Sequence, residues 1–302
     1  MASLQSTKLS DQERAAYRER GYHVPLRGFS AEDAARSHRS FLDYWQPHSE
    51  TLKGRPPREW GKYLIDTHLF LRWVYEMTVD PRVLDGVESV LGPNILVWGS
   101  QWFPKFAHDK SYVSWHQDAA YWGLSPLNVT TAWIALVPST RENGCMRVIP
   151  GTHRGLLPQR ETYAEANMLS RGQEIAVEVD ESLAINFVLQ PGEFSLHHIG
   201  IVHGSGPNTS DASRIGLAVR YVSPDVVQQG RARDMVLLAR GRDDYGHFDI
   251  VDPPVHDLPF GQSAVHAESM ARRMSNVMPA TAGGPTGAGG ETKAGGQLKE
   301  DG

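Results

Sequence analysis

The chain has 302 residues, enough for one large β-rich domain or two ordinary ones, and its 40% hydrophobic and 22% charged residues are usual for a globular protein. The formal net charge of −5 provides no global positive field, so nucleic acid is not an expected partner. A single cysteine cannot form an internal disulfide, and neither a signal peptide nor an apolar run of about 18 residues is recognisable, so we expect a cytoplasmic protein without a membrane partner.

The first part of the chain carries signals for helices. The segment Ser10–Glu13 is a capping box, in which the Ser hydroxyl and the Glu carboxylate satisfy N–H groups at a helix start. This predicts a helix that ends near Gly21 and is followed by a short strand. Ser30 begins a second predicted helix, which runs to about Trp45 with an apolar stripe on one face. The Pro, Gly and charged residues of 46–60 predict an irregular crossing.

Two further helices are predicted before the pattern changes. The first covers about Leu69 to Met77. The second begins at Asp80-Pro81, where Asp caps the helix and Pro occupies the first position, at which a missing N–H costs nothing. Gly92 suits the left-handed conformation that ends this helix.

From residue 95 onward the sequence predicts strands. They are short, rich in aromatic and β-branched residues, and separated by Gly, Pro, Asn and Ser turns. The predicted strands are Ile95–Phe103, Tyr112–Asp118, Val129–Val137, Cys145–Ile149, Glu174–Val179, Glu193–His197, Ile201–His203 and Arg214–Val222.

Helices followed by many strands predict a mainly β fold with flanking helices, a cupin-like jelly-roll barrel. We expect one domain over residues 1–279, with N-terminal helices to about 92 and a β-barrel core over about 95–222. Residues 280–302 are rich in glycine and hold nothing that can build a core, so a disordered tail is predicted there.

The stretch Val113–Asp118 carries the first chemical signal. Side chains alternate along a strand, so His116 and Asp118 project from the same face. An imidazole and a carboxylate on one face are half of the 2-His-1-carboxylate facial triad that holds non-haem Fe(II). A solvated strand face is the alternative explanation of the same pair.

Three histidines compete for the place of the third ligand: His197, His198 and His203. Alternation requires one of the first two to point outward. His203 is favoured because an apolar strand delivers it just before a glycine turn that leads to Arg214. Core or surface packing is the ordinary explanation for a histidine in such a region.

Arg214 suggests a co-substrate. Fe(II) oxygenases commonly use 2-oxoglutarate, whose distal carboxylate suits a planar, permanently charged guanidinium. An arginine on the strand paired with the ligand strand would supply this contact, with a hydrogen bond from the Ser205 hydroxyl. The alternative is an ordinary strand arginine whose head group reaches water.

Four segments in order resemble the phytanoyl-CoA dioxygenase family: Trp115–Asp118, Glu142–His153, Val202–Asn208 and Arg214. The resemblance runs from about Leu9 to about Tyr221. It implies a double-stranded β-helix fold, Fe(II) held by His116, Asp118 and His203, and 2-oxoglutarate and O2 as co-substrates. It also implies that Arg214, eleven residues after the last ligand, binds 2-oxoglutarate. It does not imply phytanoyl-CoA as the substrate.

The strand that precedes the one with His116 and Asp118 provides three further candidates. Gln101, Phe103 and Lys105 share one face of it, and the resemblance places this strand along the cavity for co-substrate and substrate. We assign Gln101 to the co-substrate and Phe103 and Lys105 to the substrate, and either polar residue suits a carboxylate. An exposed lysine beside a satisfied glutamine is the alternative.

Two more strands provide candidates, because alternate residues of a strand face the same side. Thr131 and Trp133 share a face and are assigned to the co-substrate and to the substrate wall, respectively. Arg220 has the same parity as Arg214, so it also faces inward as a substrate contact unless a bulge intervenes.

These predictions define an Fe(II)- and 2-oxoglutarate-dependent dioxygenase that hydroxylates a small organic molecule, in specialised metabolism or of amino-acid type. Desaturation, epimerisation and cyclisation use the same cofactors and stay open, as does a non-catalytic jelly-roll binding protein. Halogenation is disfavoured because Asp118 fills the coordination position that a halide needs. The absence of a basic patch argues against a coenzyme A thioester.

Overall fold

The structure is a computed structural model that describes residues 6–276. The predicted tail, residues 280–302, lies outside the described residues. Helices are α1 Asp11–Arg20, α2 Ala31–Leu52, α3 Gly61–Leu64, α4 Arg72–Thr78, α5 Pro81–Leu91, α6 Ala119–Trp122 and α7 Ala264–Asn276. Strands are β1 Tyr22–Arg27, β2 Ile95–Trp102, β3 Val113–His116, β4 Leu124–Ser125, β5 Val129–Ala135, β6 Arg147–Ile149, β7 Gln159–Glu161, β8 Gln173–Ile175, β9 Ile185–Asn186, β10 Glu193–His198, β11 Val202–Ser205, β12 Gly216–Val222, β13 Val227–Gln228, β14 Met235–Arg240 and β15 Asp249–Ile250.

Where the capping residues form a clear pattern, the helix begins and ends where the sequence predicts. Both hydrogen bonds of the predicted capping box are present at the start of α1, and Gly21 ends the helix in the left-handed conformation. The prediction that the second helix stops near Trp45 is wrong. The apolar stripe of α2 continues to the buried Leu52, so packing holds the helix through Pro47 at the cost of one backbone hydrogen bond.

Two antiparallel sheets form the double-stranded β-helix. One has the order β1-β10-β5-β12-β2-β14-β15, in which only the short last pair is parallel, and the other has the order β3-β11-β6-β9. On β5, Ala132 and Ile134 pack toward the helices, while the alternating Thr131 and Trp133 face the interior of the barrel. The larger sheet therefore has a dry face covered by helices and a second face that lines a cavity.

The placement of the strand after the ligand strand differs from the prediction. Successive strands of a jelly roll alternate between its two sheets. Accordingly β11 lies in the four-stranded sheet, whereas β12 lies between β5 and β2 in the larger one. Arg214 precedes β12 and forms an isolated backbone bridge with Lys105. The expectation that Arg214 sits on the strand paired with the ligand strand is therefore wrong.

The main sheet also extends beyond the predicted limit of 222. β14 pairs with β2, with Leu237 opposite Val97, and its inner side chains are buried. α7 packs against the segment Thr67–Leu69, next to which Arg273 forms a 2.8 Å ion pair with the buried Asp66. Over residues 6–276, none of the helices combines the length and the apolar character that crossing a membrane requires.

Candidate active site

Three side chains converge where the two histidine strands meet. His116 ends β3, and His203 on β11 is its direct cross-strand partner. Asp118 follows two residues after His116, at the start of α6. One ligand atom from each of the three lies within 4.8 Å of the others, and among residues 6–276 this is the only such cluster of three. All three side chains are buried.

The hydrogen bonds around the cluster orient both imidazoles. His116 Nδ1 lies 2.9 Å from the Ser114 carbonyl, and His203 Nδ1 lies 3.0 Å from the Ile201 carbonyl. An Nδ1–H group that donates to a carbonyl leaves the Nε2 lone pair directed away from it. Both Nε2 atoms face Asp118, at 3.3 Å from Oδ1 for His116 and 3.9 Å from Oδ2 for His203.

The protonation states suit a metal. Burial, reinforced by His116, lowers the pKa of His203 to about 4, so its imidazole is neutral at pH 7. Burial alone would raise the pKa of Asp118, but the hydrogen bond with His116, together with His203 when it is protonated in acid, outweighs burial and holds that pKa below its usual range. Neutral imidazole nitrogens and an ionised carboxylate are the donor set of the facial triad, so these residues fit Fe(II).

The other two candidate histidines lie elsewhere. His197 lines the same cavity from β10, with its ring centroid 5.1 Å from that of His203, but it does not belong to the cluster. His198 points away: its Nδ1 accepts a 3.0 Å hydrogen bond from the Gly200 N–H, and its ring contacts His153. Strand alternation therefore separates the pair as expected.

A cavity of about 500 Å³, including its mouth, opens beside the cluster. Six of the other predicted residues line it: Phe103, Thr131, Trp133, Ser205, Arg214 and Arg220. His197 also lines the cavity, although it was considered only as a candidate ligand, and the apolar wall was not predicted because nothing in the local sequence pattern separates a cavity wall from a core. The missed apolar residues are Val113, Met146, Leu169 and Ala218.

Arg214 is only 2% exposed. Its Nη1 donates to the Gly144 carbonyl at 2.6 Å and its Nη2 to the Phe103 carbonyl at 3.0 Å, while the guanidinium lies 5.3 Å from the Trp133 ring centroid. These bonds use two of the five N–H groups of a guanidinium. Nε has no hydrogen-bond partner in the described structure. Burial lowers the pKa of Arg214 to about 10, which leaves it charged at pH 7.

Lys105 is completely buried beside Arg214, so the prediction of a lysine that faces the substrate cavity is wrong. Its ammonium donates to Ser205 Oγ at 2.7 Å and to the carbonyls of Ser205 and Gly206. Burial and then the charge of Arg214 lower the pKa of Lys105 well below its usual value. Among the described residues neither Arg214 nor Lys105 has a carboxylate within 4.0 Å, so this end of the cavity suits an anion.

Gln101 also departs from its predicted place. It does not line the cavity, and its Oε1 instead accepts a 2.9 Å hydrogen bond from Arg220 Nη2. Arg220 itself lines the cavity with its guanidinium 4.9 Å from the Trp122 ring centroid. Gln101 therefore lies outside the cavity and orients Arg220, which lines it.

Gln117, between the two metal-strand ligands, was not predicted. Its side chain is fully buried on the opposite side from His116 and Asp118. Its Nε2 donates to three carbonyls, including Gly200 at 2.7 Å, and its Oε1 accepts from the Leu157 N–H at 2.8 Å. These bonds tie the ligand segment to two neighbouring loops. In the sequence, the position of Gln117 between His116 and Asp118 could have indicated this role.

Comparison with known proteins agrees with this geometry. The sequence profile of "Phytanoyl-CoA dioxygenase (PhyH)" matches residues 17–216. A Caenorhabditis elegans protein described as a probable phytanoyl-CoA dioxygenase is 26% identical over 223 residues, which cover 68% of this chain and 70% of that protein. The chain spans about half the length of the mouse and rat peroxisomal phytanoyl-CoA dioxygenases that it also matches.

Two solved structures share the fold over most of their length. The apo form of ThoJ, described as a non-heme monooxygenase, is 32% identical with a TM-score of 0.73, covering 87% of this chain and 96% of that one. CytC3 with Fe(II) and alpha-ketoglutarate (2-oxoglutarate) is 25% identical with a TM-score of 0.62, covering 85% and 97%. Together with the His116-Asp118-His203 cluster, these matches show that the chain belongs to the phytanoyl-CoA dioxygenase family of Fe(II)- and 2-oxoglutarate-dependent dioxygenases.

Proposed function

We propose that this protein hydroxylates a small organic molecule, with His116, Asp118 and His203 as its iron ligands. The observation that carries the proposal is one arrangement: the buried cluster of these three residues opens into the same cavity as a buried arginine, Arg214, which has no carboxylate partner among residues 6–276. When bound, Fe(II) and 2-oxoglutarate couple the reduction of O2 to oxidative decarboxylation of the co-substrate and oxidation of a substrate C–H bond.

The chain's own residues hold the co-substrate by its distal carboxylate. Arg214 offers its remaining N–H groups, fixed in direction by the Gly144 and Phe103 carbonyls. The Ser205 hydroxyl lines the cavity, and a 2.7 Å hydrogen bond from Lys105 Nζ fixes the position of this hydroxyl. Arg214 is buried and charged, so its attraction for a carboxylate is weakly screened.

The walls orient the substrate and exclude water. Phe103 and Trp133 lie beside Arg214, and Leu169 reaches the cavity from the segment between β7 and β8. Gly216 makes the position of Trp133 possible, because a β-carbon at residue 216 would overlap the indole ring. These apolar surfaces suit a compact organic substrate.

The groove outside the cavity bears on the substrate's charge. It is lined by two arginines, Arg147 and Arg160, which pair with Glu181 and Glu174. Two further acidic residues, Glu178 and Asp180, also line it. An acidic surplus repels phosphates, so we propose a free small molecule, such as an intermediate of specialised metabolism, rather than a coenzyme A thioester.

Asp118 favours hydroxylation over halogenation, because its carboxylate occupies the ligand position that a halide would need. Desaturation, cyclisation and epimerisation would leave the same iron site intact. The product distinguishes these reactions from hydroxylation. Desaturation and cyclisation remove two hydrogens from the substrate, epimerisation gives an isomer, and hydroxylation adds one oxygen.

The test is turnover of the iron-loaded protein with 2-oxoglutarate and extracts of small molecules. We expect succinate release and a product that carries one oxygen from 18O2, and His203→Ala should abolish both. His198→Ala is the matched control, because its ring points away from the cluster. No succinate under any condition would contradict an oxygenase, and a halogenated product in excess chloride or bromide would contradict the hydroxylase assignment.

A further inference from the structure

Three polar residues form a straight row across the cavity face of the larger sheet. Thr131 on β5 is directly opposite His197 on β10 and directly opposite Arg220 on β12. Residues paired in this way on neighbouring strands point to the same face of a sheet. All three line the cavity beside the iron cluster. The row is separate from the Arg214 and Ser205 end, which precedes β12 and belongs partly to the other sheet.

Each member of the row has a buried polar atom without a hydrogen-bond partner in the described structure. These atoms are Thr131 Oγ1, His197 Nδ1 and Arg220 Nε. Buried polar groups are rarely left without a partner, and three in one row facing a cavity indicate a polar ligand rather than three separate defects. A hydroxyl and a guanidinium are both able to donate to an anion.

The charges around the site favour an anion at Arg220. Under the proposed function, the distal carboxylate of 2-oxoglutarate is the counter-charge of Arg214, and Asp118 is a ligand of Fe(II). Arg220 then has no counter-charge of its own. Its hydrogen-bond partner Gln101 is neutral, and over residues 6–276 it forms no ion pair within 4.0 Å.

The neighbouring charges do not change this balance. Arg273 approaches from α7, but it is paired with Asp66 at 2.8 Å. Asp118 acts on Arg220 across the cavity, yet its carboxylate belongs to the metal cluster. A monoanion that enters the cavity would find a guanidinium already oriented by Gln101 and stacked on Trp122.

We propose that Arg220, assisted by Thr131 and His197, is a second carboxylate subsite, and that it binds a carboxylate of the substrate. The proposal rests on the proposed function, because it assigns the distal carboxylate of 2-oxoglutarate to Arg214. It narrows the substrate to a small carboxylic acid. The same chemistry would serve the C1 carboxylate of 2-oxoglutarate, and the experiment separates the two sources.

The experiment measures binding without turnover. Zn(II)-loaded protein with 2-oxoglutarate is titrated with acetate, propionate and phenylacetate, each against its primary amide, by calorimetry or ligand-observed NMR. We expect at least one acid to bind about tenfold or more tightly than its amide. Arg220→Met should remove this preference, Arg220→Lys should retain part of it, and Thr131→Val should weaken it several-fold.

Arg242→Met is the matched control, because Arg242 pairs with Asp244 on an exposed loop and should leave the preference unchanged. In parallel, anaerobic titration of each Fe(II)-loaded variant with 2-oxoglutarate gives its Kd. A Kd within about threefold of wild type assigns the subsite to the substrate. A tenfold weaker Kd in Arg220→Met would transfer it to the C1 carboxylate and overturn the substrate assignment.

Three other outcomes would overturn the subsite: equal binding of acids and amides by the wild type, no binding of any probe, or an acid preference that survives Arg220→Met. If Arg220→Met does not fold, Arg220→Lys and Thr131→Val test the same preference, and an acid preference unchanged in both variants would overturn the subsite. Failure of the wild-type protein to bind iron or 2-oxoglutarate would instead refute the proposed function.

Discussion

Replacing Arg214 with lysine tests the co-substrate site most sharply. Lysine keeps the positive charge but loses the planar set of donors that contacts a carboxylate at two points. One charge-assisted hydrogen bond contributes about 1.5–3 kcal/mol, so the Kd for 2-oxoglutarate should rise by about 10- to 150-fold. The Gly144 and Phe103 carbonyls also lose fixed donors, which should lower the free energy of unfolding by about 1–3 kcal/mol.

The assay is anaerobic titration of the Fe(II)-loaded protein with 2-oxoglutarate, followed by the visible charge-transfer absorption. Iron binding is measured separately and should be unchanged, because Arg214 is outside the metal cluster. Arg240→Lys is the control, since Arg240 pairs with Asp85 and Glu88 at the surface of α5. An unchanged Kd in Arg214→Lys would refute the reasoning and leave Arg214 a purely structural role.

Two predictions concern stability. Burial lowers the pKa of His68 to about 4, so the folded protein binds this proton less readily than the unfolded chain, and the free energy of unfolding should fall by about 3 kcal/mol as the pH drops from about 6.5 to about 4. Urea titrations should show a shallower decline for His68→Gln, and an identical decline would contradict this origin. Gly216→Ala should lower the melting temperature and weaken 2-oxoglutarate binding by displacing Trp133, whereas Gly155→Ala, with open space around it, should do neither.

The residues of the metal cluster were predictable from the sequence, but the local structure that carries them was not predicted in full. The His-x-Asp spacing and the apolar segment before His203 identified the right residues, but the local structure differs: β3 ends at His116, Asp118 has a helical backbone at the start of α6, and β11 continues through Gly204 to Ser205. His203 was favoured over His197 and His198 because the segment after it leads to Arg214, whereas alternation indicated only that one of those two points outward. The chemistry of the side chains and the resemblance to a known family, rather than the strand period alone, pointed to this cluster.

Predictions that needed long-range packing were less successful. Parity could place Lys105 on the cavity side of its strand, but β2 ends at Trp102, and the chain beyond it turns the ammonium toward the Ser205 and Gly206 carbonyls. The same limit applies to Gln101, whose partner Arg220 lies on a neighbouring strand 119 residues later in the chain.

Sheet assignment was the second source of error. The sequence shows where β11 and β12 lie but not that they belong to different sheets, because pairing depends on the closure of the whole barrel. β14 was missed for a related reason. Its short apolar run is compatible with several structures until β2 offers it an edge.

The most direct test of the central claim is the metal stoichiometry of the cluster. Apo-protein is titrated anaerobically with Fe(II) in the presence of 2-oxoglutarate, and bound iron is followed by the charge-transfer absorption. We expect one equivalent of iron for the wild type and for His198→Ala, and loss of the signal for His203→Ala, because the triad has no spare protein ligand. Full iron binding by His203→Ala, or its loss in His198→Ala, would contradict the account.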